Sequence, residues 1–533
     1  MLDDQEFTPK TVSEEAEGQQ GLFEKLHEGN VTADVSGEYI LPDYLPPVEK
    51  ILRLRAAPRL AGKYMNGDKV AMEGSIDWEV LYLTDTGDIH TFSTEERFSE
   101  SCSIHHLDPA CIVWVQPVVE KPVCRLTSPR KMSLRCQCNI ALTPVTPRTV
   151  APKIVTRNEI VPGEEDLRCV QTQSAPVCSS AFWALEDIGI RCSEDMELNG
   201  GVLDSIVSSA CSAILTDAKI SDGNLEYRCD VYFDVLCRLA GEDEPRFETV
   251  QHHFPISRTV PAPQVPQGAF CYGECEIREL QIQPGSDRMG ELKRIELDYV
   301  VDCNFTVCQN VKNKVVRDAF STACPSETQS GNCRTLKHRK TDRVNFTVSG
   351  MIPVSEDVPG KIIDMHASVE QAEVRSEKNR FSISGTVALT AILYDQNMAH
   401  IFSVTGSVPF QFESPCDGFM GDMDQRLCCT VTDLRGRTDG GQIRCDMEVH
   451  LCFQILEKIN MPFLSAVVLD TDQPYARGQE QGMILCYPRA GETVWEIAKR
   501  YRVTPEAIRA ANSIDLSAAD AVPGERVLAI EPE

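Results

Sequence analysis

The run DKVAMEGSIDWEVLYL, Asp68 to Leu83, alternates along its whole length: Val70, Met72, Gly74, Ile76, Trp78, Val80 and Tyr82 fall on one side, Glu73, Asp77 and Glu79 on the other. A period of two is the signature of a strand with one face buried and one face wet, because successive side chains leave a strand on opposite faces. The pattern returns in GNLEYRCDVYFDVLCRL, Gly223 to Leu239, where Leu225, Tyr227, Cys229, Val231, Phe233, Val235 and Cys237 oppose Glu226, Arg228 and Asp230. It returns again in NRFSISGTVALTAILYD, Asn379 to Asp395. There the stretch Gly385 to Tyr394 is one residue longer than Gly74 to Tyr82, which predicts a bulge in the third strand.

Each of these strands sits between an apolar opener and a second alternating segment. The openers are LPPVEKILRLRAA, GVLDSIVSSACSA and DVPGKIIDMHASV, and the closers IHTFSTEERF, PRFETVQHHFPI and AHIFSVTGSVPFQF. Ile51, Ile206 and Ile362 occupy matching places, 155 and 156 residues apart, so the repeat has the period of a domain. A later half follows in each, with the strands LRCQCNIALTPV, IELDYVVDCNFTVC and GQIRCDMEVHLCFQI. Proline- and glycine-rich pieces such as TPVTPRTVAPK and VPAPQVPQG separate strands and are poor candidates for central positions in a sheet. The expected fold is mostly β: three tandem all-β units, each an antiparallel sandwich or an open, barrel-like sheet. The expected division is an acidic segment over 1–30, units over 31–150, 164–324 and 325–469, a linker over 470–482 and a small module over 483–530.

The small module is different in kind. Thr493 with Glu496 forms a capping box, and Val494, Ile497, Ala498 and Tyr501 follow at helical spacing. Thr504 and Pro505 open a second helix that runs to Asn512. The run MILCY stands before the pair and PGERVLAI after it, so the predicted order is strand, helix, helix, strand.

Composition narrows the function. A net charge of −28 over 533 residues argues against nucleic acid and against anionic membranes as partners. The first ten residues, MLDDQEFTPK, have no apolar core of a secretory signal, and no run of about 18 apolar residues suggests a membrane helix. The 23 cysteines are many and odd in number, with no Cys-x-x-Cys pair, and many fall at strand positions as small buried hydrophobes. A reducing, cytoplasmic setting is expected. Cys229 and Cys237 stand where Gly74 and Tyr82 stand in the first unit, which reads as packing. In CSIHHLDPAC, Cys102, His105, His106 and Cys111 have metal-ligand chemistry, but an ordinary polar loop accounts for them, and no metal or cofactor is expected. The pairs His105-His106 and His252-His253 lie near no nucleophile motif, and no phosphate-binding glycine loop occurs, so an enzyme is not expected.

Two resemblances add to this. Gly491, Glu492, Thr493, Trp495, Ile497, Ala498, Asn512, Pro523 and Gly524 resemble the LysM family pattern, with Glu492 in place of the usual Asp and Arg502 where a glycine commonly ends the first helix. The resemblance implies a ligand site for N-acetylglucosamine glycans or a protein along Gly491, Glu492, Thr493, Val494 and Trp495 and along Asn512, Ser513 and Ile514. Trp495 is expected to be partly exposed beside that loop. The opener, glycine-containing strand and closer, clearest in Leu45 to Phe98 and Asp357 to Phe412, are similar to the SPOCS domain (DUF3794) of spore-coat morphogenesis proteins. Together they imply a non-enzymatic scaffold in the mother-cell cytoplasm at the forespore surface. Its LysM module would hold the coat basement-layer ATPase (SpoIVA-like), and the alternative is a peptidoglycan-binding wall or cortex protein.

Overall fold

The structure is a computed structural model that describes residues 22–158, 160–241, 246–354, 360–377, 379–395, 400–416, 422–439, 441–475, 482–513, 521–522 and 527–530. Strands dominate. The first repeat holds β1 (Leu22–Lys25), β2 (Gly29–Ile40), β3 (Lys50–Asn66), β4 (Lys69–Leu83), β5 (Ile89–Ser103), β6 (Ile112–Ser128) and β7 (Lys131–Arg148). A connection carries β8 (Lys153–Thr156) and a one-turn helix α1 (Glu164–Arg168). The middle repeat has β9 (Val170–Glu197), β10 (Leu203–Ser221), β11 (Asn224–Leu239), β12 (Arg246–Pro261), β13 (Phe270–Ser286) and β14 (Leu292–Ser321). The third has β15 (Ser326–Pro353), β16 (Gly360–Glu377), β17 (Arg380–Asp395), β18 (His400–Pro415), β19 (Met423–Asp439) and β20 (Gln442–Leu469). The C-terminal module is β21 (Ile484–Cys486), α2 (Val494–Tyr501), α3 (Pro505–Asn512) and β22 (Leu528–Ile530).

The three repeats share one plan. A three-stranded meander, β3-β4-β5, β10-β11-β12 or β16-β17-β18, packs face to face on a second three-stranded arrangement, β2-β7-β6, β9-β14-β13 or β15-β20-β19. The alternating central strands supply the dry face: Val70, Met72, Ile76, Trp78, Val80 and Tyr82 are buried, as are Leu225, Tyr227, Cys229, Val231, Phe233, Val235 and Cys237. Among the described residues no sheet closes on itself, and the arrangement is a sandwich. Among the described residues strand pairing is antiparallel except where β8 runs parallel to the end of β20.

The bulge predicted in the third central strand is not there. β17 pairs with β18 without a break in register, and the residue opposite Ile362 is Leu393, so Leu393 and not Tyr394 matches Tyr82. The extra residues lie in the openers instead, at Leu52, Val207 and Ile363, each skipped between two paired neighbours. A bulge turns one side chain out of the ladder's alternation. These three turn away from their own sandwiches and meet.

Their meeting place is a common core at the centre of the chain. Leu52, Leu81, Leu83 and Ile89 of the first repeat, Val207 and Leu236 of the middle one and Ile392 and Ile401 of the third form one buried cluster, with Ile363 against it. The residues after the bulges, Arg53, Ser208 and Asp364, are matched positions that bond to one another: Arg53 Nη1 donates to Asp364 Oδ2 at 2.6 Å and Nη2 to Ser208 Oγ at 2.9 Å. Around the rim, Thr91 donates to the Val207 carbonyl and Thr249 to the Ile363 carbonyl, and β18 lies against β3. The contacts therefore run first to middle, middle to third and third to first, a closed ring made from one chain. At another junction β1 lies between β7 and β15, joining the first and third repeats in one eight-stranded sheet. There Arg426 of β19 stacks 3.2 Å from the Trp114 ring centre of β6 and 5.6 Å from that of Tyr272 on β13.

Candidate functional site: the C-terminal module

The helices of the module form as their sequence requires. Thr493 Oγ1 accepts from the Glu496 amide at 3.2 Å and Glu496 returns the bond to the Thr493 amide at 2.8 Å, closing the capping box. Arg502 ends α2 in the left-handed region at φ 61°, a position that favours glycine. Its guanidinium lies 3.7 Å from the Tyr475 ring centre, an attraction that offsets part of that strain. Thr504 caps α3 by accepting from the Ala507 amide, with Pro505 in the first turn.

Of the residues expected at a ligand site, the structure gives several a structural task. Glu492 accepts from the Arg489 amide at 2.9 Å and pairs with Arg500 at 2.8 Å, so its longer side chain reaches back across the loop. Asn512 clamps the last strand: its amide donates to the Ile508 and Ala529 carbonyls and its oxygen accepts from the Ala529 amide. Val494 lies in the module core beside Ile497, Ile508 and Leu528. Gly491, at φ 81°, and Ser513, at φ 50°, are exposed, and Thr493 is half-buried. Ile514, Pro523 and Gly524 lie outside the described residues.

Trp495 corrects an expectation. It is 4% exposed, not partly open, because the module sits on the end of β14. The indole packs edge-on against Phe320 at 5.0 Å and its Nε1 donates to Asp318 Oδ2 at 2.9 Å, while Lys499 Nζ pairs with the same carboxylate at 2.8 Å. Phe320 is in effect a core residue of the module, contributed by the middle repeat. Nothing local to the module marks Asp318 and Phe320 as its seat. Their place at the end of a long strand, where β14 still pairs with β9, is a tertiary fact.

Elsewhere, His106 occupies a left-handed turn at φ 64° and Cys111 is buried, its thiol pushed up to about 12 by burial. Among the described residues those four side chains make no metal-like cluster; one group of cysteines in the middle repeat does. Among the described residues the structure pairs no two cysteines in a disulfide.

Comparison with known families bears on both ends of the chain. Residues 47–127 match the family model described as SipL, SPOCS domain, and residues 489–528 match the LysM domain model. The first match covers the meander β3-β4-β5 and most of β6. Both are binding-domain types without a catalytic centre. Comparisons with curated proteins and with solved structures return no match.

Proposed function

We propose that this protein is a non-enzymatic scaffold of spore-coat morphogenesis, working in the mother-cell cytoplasm at the forespore surface. In this reading three SPOCS-type units, 31–150, 164–324 and 325–469, form a rigid body, and the LysM module at 483–530 holds the coat basement-layer ATPase. The observation that carries it is the pairing of a SPOCS match with a LysM match on one chain. The exposed positions of the module's two loops, Gly491 before the first helix and Ser513 after the second, with half-buried Glu492 and Thr493 next to Gly491, are the contact residues of this proposal. Trp495 supports the module from beneath rather than meeting the partner. Multiple contacts from one rigid chain raise avidity on a polymerised surface.

A glycan reading rests on the LysM match alone. The two separate in a sedimentation experiment with the full chain and a chain ending at Tyr475. Co-sedimentation of the full chain with polymerised basement-layer ATPase, lost on truncation, and no retention on peptidoglycan sacculi is expected. Retention on sacculi that needs the module, without ATPase binding, would decide for peptidoglycan.

A further inference from the structure

The middle repeat contains a group of side chains that the scaffold does not require. Cys275 on β13 stands directly opposite Cys303 on β14, their sulfurs 3.1 Å apart, and Cys229 of the facing meander completes a trio whose sulfurs all lie within 4.8 Å of one another. Three sulfurs each about 2.3 Å from one ion stand roughly 4 Å apart. The trio therefore closes on an ion with small side-chain adjustments.

Packing alone does not explain it. The same layer can be found in the other repeats by counting eight residues on from the first buried residue of β7, β14 and β20, which leads from Met132 to Ile140, from Ile295 to Cys303 and from Ile443 to Leu451. Ile140 faces Pro117 and Leu451 faces Cys429, and Gly74 and Gly385 stand where Cys229 does. A glycine with apolar neighbours suffices in both, with one thiol between them. The surroundings change in step. Cys303 is flanked on its other side by Asp187, which accepts from the Tyr227 hydroxyl at 2.7 Å and is paired with Arg258 at 3.1 Å. At the matched places stand Val31 and Met72 in the first repeat and Val344 and Ile383 in the third. The full set of three thiols with a supporting Tyr–Asp–Arg chain occurs in the middle repeat and not in the other two.

The trio is also reachable. Cys275 is half-buried and lines a cleft of about 210 Å³ between the middle and third repeats, with Glu274, Arg343, His450 and Cys452 in its walls. An ion can enter from there.

We propose that Cys229, Cys275 and Cys303 bind one soft d10 metal ion, Cu(I) or Zn(II), as a three-thiolate site. Binding releases the thiol protons to solvent, and Tyr227 is the positioning residue, whose hydroxyl holds Asp187 in the place paired with Cys303. Three-coordinate Cu(I) suits the site better than tetrahedral Zn(II), because among the described residues the group offers three sulfurs and no fourth ligand.

The test uses the full chain, reduced and anaerobic, titrated with Cu(I) against a chromophoric chelator and separately with Zn(II). One ion held per chain is expected, with the Cu(I) arm stronger; preference for Zn(II) would keep the site and overturn the assignment of the ion. Cys275→Ser should weaken binding by more than the roughly 10–100-fold that a supporting residue costs, and Tyr227→Phe by about that range. Cys452→Ser, in the same cleft but outside the trio, should bind as the parent does. Equal weakening by both cysteine variants would overturn the proposal, since it would mean unspecific thiol binding. Alkylation mapping of the unmodified chain needs no variant: bound Cu(I) should protect Cys275, and an unchanged rate at Cys275 with metal bound would overturn the site irrespective of how the variants fold.

Discussion

Trp495 shows what a single side chain decides. Local chemistry made the helix around it legible, because a capping box and an apolar stripe are written within ten residues. Its exposure was not legible, since Asp318 and Phe320 come from a distant strand whose end no periodicity marks as a docking seat. Removing the ring leaves a cavity against Phe320 and one fewer donor on Asp318. Trp495→Ala should therefore destabilise the docked module by about 3 kcal/mol, within the range for truncating a buried aromatic. Asp318→Asn keeps an acceptor for the indole and removes only the ion pair with Lys499, whose side chain is 45% exposed, so its cost should be on the order of 0.5 kcal/mol. Hydrogen exchange within α2 measures both; equal protection in Trp495→Ala and the parent would sink the docking described here.

Between elements, the readable part was the ladder and the unreadable part its junctions. Alternation in Val70 to Tyr82 and its two counterparts gave the sandwich layers, since a strand buried on one face can be read from its own residues. The bulge was misplaced because sequence counting aligned Tyr82 with Tyr394, whereas the skipped residue lies in the neighbouring strand at Ile363. Junction residues carry no such signature, and His338 is one. It stacks on Phe270 at 3.8 Å, joining β15 to β13, and burial holds its imidazole down to about 4. A histidine with a depressed pKa stabilises the fold above its ordinary value near 6.5, and that stability is lost as pH falls toward 4. The loss should be on the order of 2 kcal/mol at pH 5. His366, also held down by burial and by Arg55 and Arg53, acts in the same direction, whereas Asp234, pushed up to about 6 by burial, acts in the opposite one. The contribution of His338 is thus the difference in acid sensitivity between the parent and His338→Gln in urea unfolding at pH 7 and pH 5. Parallel midpoint shifts in the two proteins would show that His338 titrates freely.

At the scale of the molecule, the repeats are less separable than their period suggests. The segment 150–163 reads in sequence as a linker, but β8 within it pairs with β20, so the part open to a protease narrows to its end, where Ile160 and Val161 are 63% and 79% exposed. Cleavage there should not release the first repeat. β1 and β7 share a sheet with β15, and the central cluster draws side chains from all three repeats. The junction also contains the buried Arg53–Asp364 pair, whose side chains are 4% and 7% exposed. Removing one partner of such a pair leaves a charge buried without compensation, at a cost of about 3–5 kcal/mol. The chain nicked at Ile160 to Gly163 should therefore elute as one particle in size-exclusion chromatography, and the nicked Arg53→Ala chain should separate at a lower urea concentration than the nicked parent. Asp364→Leu in the Arg53→Leu background should recover part of that loss, because an apolar contact can replace a buried pair once neither charge remains, while Glu79, which also pairs with Arg53, keeps only Arg55. If the nicked parent came apart without denaturant, the first repeat would be an independent bead, and the contacts of Leu52 with Val207 and Ile363 would not hold it to the other two in solution.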